Sequence, residues 1–153
     1  IMKFNDTQQW LSNMEQYGNL FLGGCDSCSS FYKDSFDGFS YDSVLVAGLG
    51  FGLIPQELIT SKNCSKVDVV EINQEVINYN NTSGHLDSNI NLIQGDIHSY
   101  TTSEMYDLIL IDTIWQESEM TEDQWQALVT RFTNNLNTNG AIYSPILTKW
   151  VTV

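Results

Sequence analysis

The amino-acid sequence predicts an α/β protein with a doubly wound, mostly parallel sheet. From residue 43 onward, apolar segments rich in Val, Ile and Leu alternate with segments of helical periodicity. Continuous apolar strands are typical of a parallel sheet that is covered on both faces, and their alternation with helices indicates crossover connections. The chain has 153 residues, of which 42% are hydrophobic, so it can form one domain with a buried core.

The residues before position 43 show a different pattern. Residues 6–17 carry apolar side chains at helical spacing and predict a helix. Residues 18–41 are rich in Gly, Ser, Asp and aromatic side chains without a period, which leaves a hairpin and a loop both open. We therefore expect residues 1–42 to hold a helix and an irregular or hairpin segment, and residues 43–153 to form one globular unit.

Five strands are predicted in the second part, and the last residues suffice for one more. Each is bounded by glycine, polar or acidic residues, as strands in such sheets are. The predicted strands are SVLVAG (43–48), VDVVEI (67–72), INLIQGD (90–96), YDLILID (106–112) and AIYSPIL (141–147).

Three helices are predicted between these strands, over residues 53–60, 73–81 and 121–136. Pro55 is tolerated in the first turn of the first helix. Thr121 and Gln124 form a capping box at the start of the last helix. Asn139 and Gly140 predict the stop that ends it.

The strand ends carry the residues best suited to chemistry. In a doubly wound sheet, ligands bind beyond the carboxyl ends of the strands. Successive strands end here in the glycine loop Gly48–Gly52, in Glu71, in Asp96 and in Asp112. We therefore expect the functional site at this edge of the sheet.

The loop after the first strand has the spacing G-x-G-x-G at Gly48, Gly50 and Gly52. Glycines let the chain turn sharply and let a ligand approach the backbone. The dinucleotide fingerprint G-x-G-x-x-G requires glycine at position 53, where this chain has Leu53. The loop indicates a ligand site and weakens an NAD-binding interpretation, with a plain tight turn as the alternative.

Each acidic strand end has a binding and a structural interpretation. Glu71 either accepts both hydroxyls of a ribose or is an exposed acid, and no Lys or Arg beside it could take a 2′-phosphate. Asp96 either accepts from an adenine amino group, between Ile72 and Ile97, or forms an Asx-turn. Asp112 follows an apolar strand and is expected to face a cleft, or to act as a cap or turn residue.

In combination these motifs resemble a known family. VLVAGLGFGLIPQEL and VDVVEINQEVINYN resemble class I S-adenosylmethionine (SAM)-dependent methyltransferases, most closely their spermidine synthase-like branch. IQGDI, YDLILID and MTEDQWQALVTRFTNNLNTNGAIYS resemble later motifs of the same family. The resemblance covers about residues 43–146 and implies a Rossmann-like sheet of the class I methyltransferase type. Because the family usually continues past the fifth strand, we expect a fold shortened at the C-terminus.

The resemblance also implies how SAM is bound. The glycines of the loop 48–52 would line the methionine and ribose end of the cofactor, and Glu71 would hold the ribose hydroxyls. Ile72 would pack on adenine. Asp96, beside Ile97, would accept from the adenine amine.

For the acceptor, the resemblance points to the end of the fourth strand. Asp112 matches the first acid of the aminopropyltransferase motif D-x-x-D, where it would orient the acceptor or take up its proton. Trp115 stands at the position of the second acid. A tryptophan there could cover a sulfonium or an amine through cation–π attraction.

We therefore expect an enzyme that transfers a methyl or aminopropyl group from SAM or decarboxylated SAM to a small acceptor, with cationic amines as candidates. A non-catalytic SAM- or nucleoside-binding module, or an assembly subunit that activates a partner, is the alternative. An NAD-binding domain is a third and weaker interpretation.

Charge and composition restrict the partners. The formal net charge is −13, which repels nucleic-acid backbones and anionic membranes. No apolar run reaches the ~18 residues of a membrane span, and no secretion signal is apparent. The three cysteines are an odd number, which favours reduced thiols and a cytoplasmic location.

Cysteines and acids elsewhere in the sequence each have a functional interpretation and a structural one. Cys25 and Cys28 have the spacing of half a zinc site, which Cys64, His85 or His98 could complete, but we expect lone loop cysteines and no metal. An acidic run before and at the start of the last helix comprises Glu117, Glu119, Glu122 and Asp123. These residues either attract a cationic substrate or form a solvated loop and helix start.

The C-terminal segment predicts a homodimer. The last strands would form a sheet edge with little charge, and such edges pair readily with another chain. We expect Tyr143, Ile146, Trp150 and Val151 to form an exposed apolar patch there. Burial of this surface by the N-terminal helix is the alternative.

Overall fold

The computed structural model describes residues 41–113 and 117–153. The predicted N-terminal helix and the segment after it, with Cys25 and Cys28, lie outside the described residues, as does Trp115. The domain boundary predicted at residue 43 therefore stays a prediction.

Helices follow the first, second and fourth strands, as the sequence predicts. The strands are β1 (Ser43–Ala47), β2 (Lys66–Glu71), β3 (Ile90–Gln94), β4 (Tyr106–Ile111), β5 (Leu136–Ser144) and β6 (Lys149–Thr152). The helices are α1 (Leu53–Thr60), α2 (Gln74–Ser83) and α3 (Glu122–Phe132), and single 3₁₀ turns cover Glu117–Glu119 and Thr133–Asn135.

The six strands form one sheet in the order β3-β2-β1-β4-β5-β6. The first five are parallel, and β6 pairs antiparallel with β5. The chain runs outward from β1 to β3 and then crosses back to β4 on the other side of β1. In doubly wound sheets, the crevice that binds ligands lies outside the carboxyl ends of the strands at such a reversal, which here falls between β1 and β4.

The core lies on the central strands, because β1 and β4 are almost entirely apolar. The stretches 44–47 and 108–111 have 0% exposure. On one face of the sheet, Trp125, Leu128 and Phe132 of α3 pack against them. Burying each such side chain stabilises the fold by about 1.5–3 kcal/mol.

Helix α3 begins as predicted, since Thr121 and Gln124 make both hydrogen bonds of a capping box. The prediction that Asn139 and Gly140 stop this helix is wrong. The helical turns end at Asn135, and β5 already begins at Leu136. Asn139 has a φ of 67°, and the pairing between β4 and β5 shifts register nearby. The Asn-Gly pair therefore forms a strand irregularity, which needs the same left-handed conformation as a helix stop.

The last two strands form a hairpin through a turn over residues 145–148. The Tyr143 and Trp150 rings stack with centroids 3.9 Å apart, and Tyr143 is only 3% exposed. Tyr143 therefore lies beneath Trp150 and does not belong to an exposed apolar patch. Among the described strands, β6 is at one end of the sheet order, as the sequence predicts.

Two acids that lie away from the carboxyl edge of the sheet are tied to other strands. Asp107 accepts hydrogen bonds from the backbone amides of Asp42 (2.8 Å) and Ser43 (3.0 Å) and from Asn137 Nδ2 (2.8 Å). Burial alone would raise the pKa of Asp107, but these donors outweigh it and hold the pKa below its usual value.

The second acid, Asp68, is buried in the middle of β2. It accepts from the Tyr106 hydroxyl at 2.7 Å and from Asn91 Nδ2 at 3.2 Å, and Lys66 Nζ lies 3.3 Å away. Burial and the bond to Asp68 both raise the pKa of Tyr106, so its hydroxyl stays a donor. Lys66 also pairs with Glu104 at 2.7 Å.

No helix within residues 41–113 and 117–153 combines the length and the apolar character that crossing a membrane requires.

Candidate functional site

The glycine loop lies where the sheet reverses. Its three glycines all have positive φ, at 98° for Gly48, 51° for Gly50 and 74° for Gly52. A Cβ on Gly48 would lie 2.3 Å from the carbonyl oxygen of Asp112, so only glycine lets the ends of β1 and β4 approach this closely. A Cβ on Gly50 would meet no atom of the described residues within 4 Å, so none of those residues covers that side of the loop.

Glu71 links the glycine loop to the start of α2. One carboxylate oxygen accepts from the Leu49 amide at 2.9 Å, and the other accepts from the Asn73 amide at 2.8 Å. Each carboxylate oxygen has a second lone pair, so the group retains capacity for a ribose hydroxyl. The sequence places Glu71 at the edge correctly, but it does not reveal that the side chain also holds two loops together.

The chain after Glu71 presents an exposed apolar side chain. Ile72 is 64% exposed, which makes it the most exposed of the large hydrophobic side chains in the described part of the chain. Its carbonyl accepts from Gln94 Nε2 at 3.1 Å, and the amide of Gly95 donates to the Glu71 carbonyl at 3.0 Å. These bonds from the end of β3 hold Ile72 at the mouth of the site.

The two other residues predicted for the adenine end lie in different surroundings. Asp96 is exposed, and its Oδ1 accepts from the His98 amide at 2.9 Å, which is the Asx-turn considered as its alternative role. Ile97 is 4% exposed and packs in the core. Ile72 therefore offers a ligand a large apolar surface, whereas Ile97 offers very little.

Asp112 follows β4 directly and is half-buried. Its amide donates to the Ala47 carbonyl at 2.9 Å, which ties it to the end of β1 beside Gly48. The residue thus lies at the carboxyl end of β4 beside the glycine loop, and its role toward an acceptor stays a prediction. Trp115, predicted to contact the acceptor, lies outside the described residues.

Sequence reasoning missed two side chains that contact the glycine loop. Asn80 of α2 donates to the Gly50 carbonyl at 2.9 Å, and His85 Nε2 lies 2.8 Å from the Phe51 carbonyl. A signal for Asn80 was present, because it lies four residues after Val76 and three after Ile77, on the buried face of α2. A polar residue at such a position usually has a specific hydrogen-bonding role.

No group of three or more potential metal ligands occurs within the described ranges. Cys64 is a buried free thiol, and burial followed by the nearby Asp42 and Asp107 carboxylates raises its pKa to about 11. A thiol with a raised pKa is a poor nucleophile and a poor metal ligand. Zinc ligation through Cys25 and Cys28 involves residues outside the described part.

The acidic run lies on the surface at the start of α3. Glu117, Glu119, Glu122 and Asp123 are all exposed, and Glu122 pairs with Lys149 of β6. The hydrogen bond from Lys149 lowers the pKa of Glu122. Part of the run is thus engaged by the C-terminal hairpin.

The fold matches solved structures, although no protein-family model and no curated protein matches the sequence. A SAM-dependent methyltransferase from Clostridium acetobutylicum aligns with a TM-score of 0.66 at 17% identity, over 88% of this chain and 56% of that chain. The N-methyltransferase NodS from Bradyrhizobium japonicum aligns with a TM-score of 0.62 at 17% identity, over 78% of this chain and 65% of that chain.

A third structure, the DhpI–SAH complex, aligns with a TM-score of 0.67 at 17% identity, over 90% of this chain and 65% of that chain. The chain therefore spans between 56% and 65% of the length of these three proteins. The likeness establishes the Rossmann-like fold of class I SAM-dependent methyltransferases. It does not single out the spermidine synthase-like branch.

Proposed function

We propose that this chain binds SAM at the carboxyl edge of its sheet and transfers the methyl group to a small acceptor. The observation that carries the proposal is the arrangement of Glu71, which joins a glycine loop to the start of α2 at the reversal of the sheet. The same fold occurs in the SAM-dependent methyltransferases described above.

The residues of this edge fit such a cofactor. Gly50 would face its methionine and ribose end, because no atom of residues 41–113 or 117–153 lies within 4 Å of where a Gly50 Cβ would be. Glu71 would accept the ribose hydroxyls with its remaining lone pairs. Ile72 would cover one face of the adenine, since it is apolar and 64% exposed. Asp96 would accept from the adenine amine through the oxygen not held by His98.

Asp112 is proposed to act on the acceptor. When bound, SAM supplies an activated sulfonium methyl group, so the protein's main task is to hold the acceptor in line with it. Asp112 lies beside Gly48 at the crevice, where its carboxylate would orient an amine or hydroxyl and take up its proton. The net charge of −13 favours a cationic acceptor over an anionic one.

Aminopropyl transfer from decarboxylated SAM is the competing chemistry. It is favoured by Asp112, which occupies the first position of the motif D-x-x-D. Trp115 at the second acidic position favours methyl transfer instead, because two carboxylates normally position and deprotonate the attacking amine in aminopropyl transfer.

Calorimetry and mass spectrometry on the full chain test the proposal. We expect a Kd in the micromolar range for SAM and for S-adenosylhomocysteine, and release of S-adenosylhomocysteine when mixed amines are added. Release of methylthioadenosine from decarboxylated SAM would establish aminopropyl transfer instead. Asp112→Asn should abolish turnover but retain binding, with Asp123→Asn as a control of equal charge change.

Binding without turnover would identify a SAM-binding module rather than an enzyme. If neither SAM, S-adenosylhomocysteine nor decarboxylated SAM binds, the proposal is overturned.

A further inference from the structure

The glycine loop is held from one side by the helix and loop that follow β2. Asn80 Nδ2 donates to the Gly50 carbonyl at 2.9 Å and to the Val76 carbonyl at 2.9 Å. His85 Nε2 lies 2.8 Å from the Phe51 carbonyl. Two consecutive carbonyls of the loop are therefore held by side chains of the segment 80–85.

These contacts determine which way the loop faces. In a trans peptide the N–H group points opposite to the preceding carbonyl, so fixing the Gly50 and Phe51 carbonyls fixes both peptide planes. The second of these planes also contains the amide of Gly52, which donates to the Leu49 carbonyl at 2.8 Å. The side of Gly50 where a Cβ would stand is not covered by any residue in the described part of the chain.

Asn80 is retained at an energetic cost. It is 1% exposed, and its Oδ1 accepts no hydrogen bond in the described part of the chain. A buried unsatisfied oxygen costs about 1–3 kcal/mol. The reverse orientation of the amide would direct Oδ1 at two carbonyls, so the two donated bonds fix the assignment. An apolar residue would avoid this cost, but it could not hold the Gly50 carbonyl.

His85 is supported in turn by α2. Its Nδ1 lies 2.6 Å from the Ser83 hydroxyl, and that hydroxyl also lies 2.9 Å from the Asn80 carbonyl. The Phe51 carbonyl can only accept, so Nε2 carries the proton of this contact. The ring is exposed and contributes little to the core.

We propose that Asn80 and His85 are positioning residues that hold the glycine loop in the conformation that receives SAM. They act through the Gly50 and Phe51 carbonyls and do not contact the cofactor. This inference rests on the proposed function, because it names the ligand that the loop is shaped to receive.

Binding measurements on variants of the full chain test the effect on the ligand. We expect Asn80→Leu to raise the Kd for SAM by ~10-fold or more, because a displacement of about 1 Å in a binding site has effects of this size or larger. His85→Ala should raise the Kd several-fold with little change in Tm, and His85→Gln should restore affinity, because its amide can donate at a similar reach. Asn78→Ala, on the exposed face of α2, is the matched control.

Hydrogen exchange of the Gly52 amide, followed by NMR in the ligand-free protein, tests the loop itself. We expect faster exchange in Asn80→Leu and His85→Ala than in the wild type, and unchanged exchange in Asn78→Ala. If both variants retain wild-type exchange and wild-type affinity, the inference is overturned.

If the wild type binds no SAM, the proposed function and the ligand named here are overturned together. The exchange rates then still decide whether the two side chains hold the loop. A fall in Tm with unchanged Kd and unchanged exchange would assign both residues a purely structural role and overturn the inference.

Discussion

The two edges of the sheet both carry acidic residues, but they use them differently. Toward the amino edge, Asp68 in β2 and Asp107 near the start of β4 are held by donors on other strands, and Asp68 is buried. At the carboxyl edge, Glu71 and Asp96 accept from amides of loops and remain partly or fully exposed. The carboxylates toward the amino edge therefore join strands, whereas those at the carboxyl edge hold loops in place.

This difference predicts which acids contribute to the stability of the fold and which contribute to ligand affinity. An acid whose partners are strand residues should affect unfolding when it is removed, and leave the ligand affinity of the folded protein unchanged. An acid whose partners are loop amides should affect ligand affinity more than unfolding. Substitutions matched across the two edges test whether the separation holds.

The largest effect is expected at Asp68. Asp68→Ala leaves the Tyr106 hydroxyl buried without its acceptor and Lys66 with one partner fewer, which should lower the free energy of unfolding by about 2–4 kcal/mol. Urea denaturation measures the loss, and calorimetry with SAM should show an unchanged Kd for the folded fraction. A loss below about 1 kcal/mol would contradict a structural role for this acid.

Glu71 should show the opposite behaviour. Glu71→Ala removes an acceptor for the ribose and should weaken SAM binding by about 1–3 kcal/mol, or roughly 10- to 100-fold. We also expect a smaller loss of stability, because the amides of Leu49 and Asn73 lose their partner. Glu75→Ala, in the first turn of α2, is the control. Equal affinity in the two variants would show that Glu71 only supports the loops.

Two exposed apolar residues, one at each edge of the sheet, allow the same comparison between the edges without a change of charge. Ile72 at the carboxyl edge is 64% exposed, and Met105 at the amino edge is 43% exposed. Neither Ile72→Ser nor Met105→Ser should change stability by more than about 0.5 kcal/mol. Only Ile72→Ser should weaken nucleoside binding, by about 1 kcal/mol from lost apolar contact. Equal Kd values in the two variants would remove Ile72 from the adenine site.

The smallest effect concerns pH. The pKa of Asp107 is lowered in the folded protein, so its contribution to stability is present above the unfolded pKa of about 3.9 and is lost as pH falls through the folded pKa. The stability difference between wild type and Asp107→Asn should therefore shrink as pH falls below about 4. Thermal unfolding across this range measures it, with Asp123→Asn as the control. A difference that stays constant would show that the carboxylate charge does not matter.

The sequence predicts the carboxyl ends of β1, β2 and β4 to within one residue, because hydrophobicity changes abruptly there. The fifth strand is predicted over residues 141–147, but β5 covers Leu136–Ser144. Glu71 and Asp112 each follow a run of apolar residues, so their place at the carboxyl edge follows from local pattern. The Asn139–Gly140 pair is ambiguous for a local reason, because a helix stop and a strand irregularity need the same backbone conformation.

Contacts between distant segments could not be predicted in this way. Asn80 and His85 hold the glycine loop across about thirty residues of sequence, and only the packing of α2 against that loop brings them together. The burial of Ile97 could not be predicted for the same reason, because the core residues that pack around it are distant in sequence. The candidate site is therefore predictable in its acids and less so in the groups that position them.

The close approach of Gly48 to Asp112 has a consequence for suppressor genetics. A side chain at position 48 would collide with a backbone carbonyl 2.3 Å away, and no substitution elsewhere removes a backbone atom. At Gly52 the nearest obstacle is Leu86 Cδ2 at 2.5 Å, a side chain that mutation can shorten. A selection for second-site revertants should therefore recover Leu86→Ala from a Gly52→Ala parent, with partial restoration because the φ of 74° stays unfavourable. The same selection from Gly48→Ala should return only reversion to glycine.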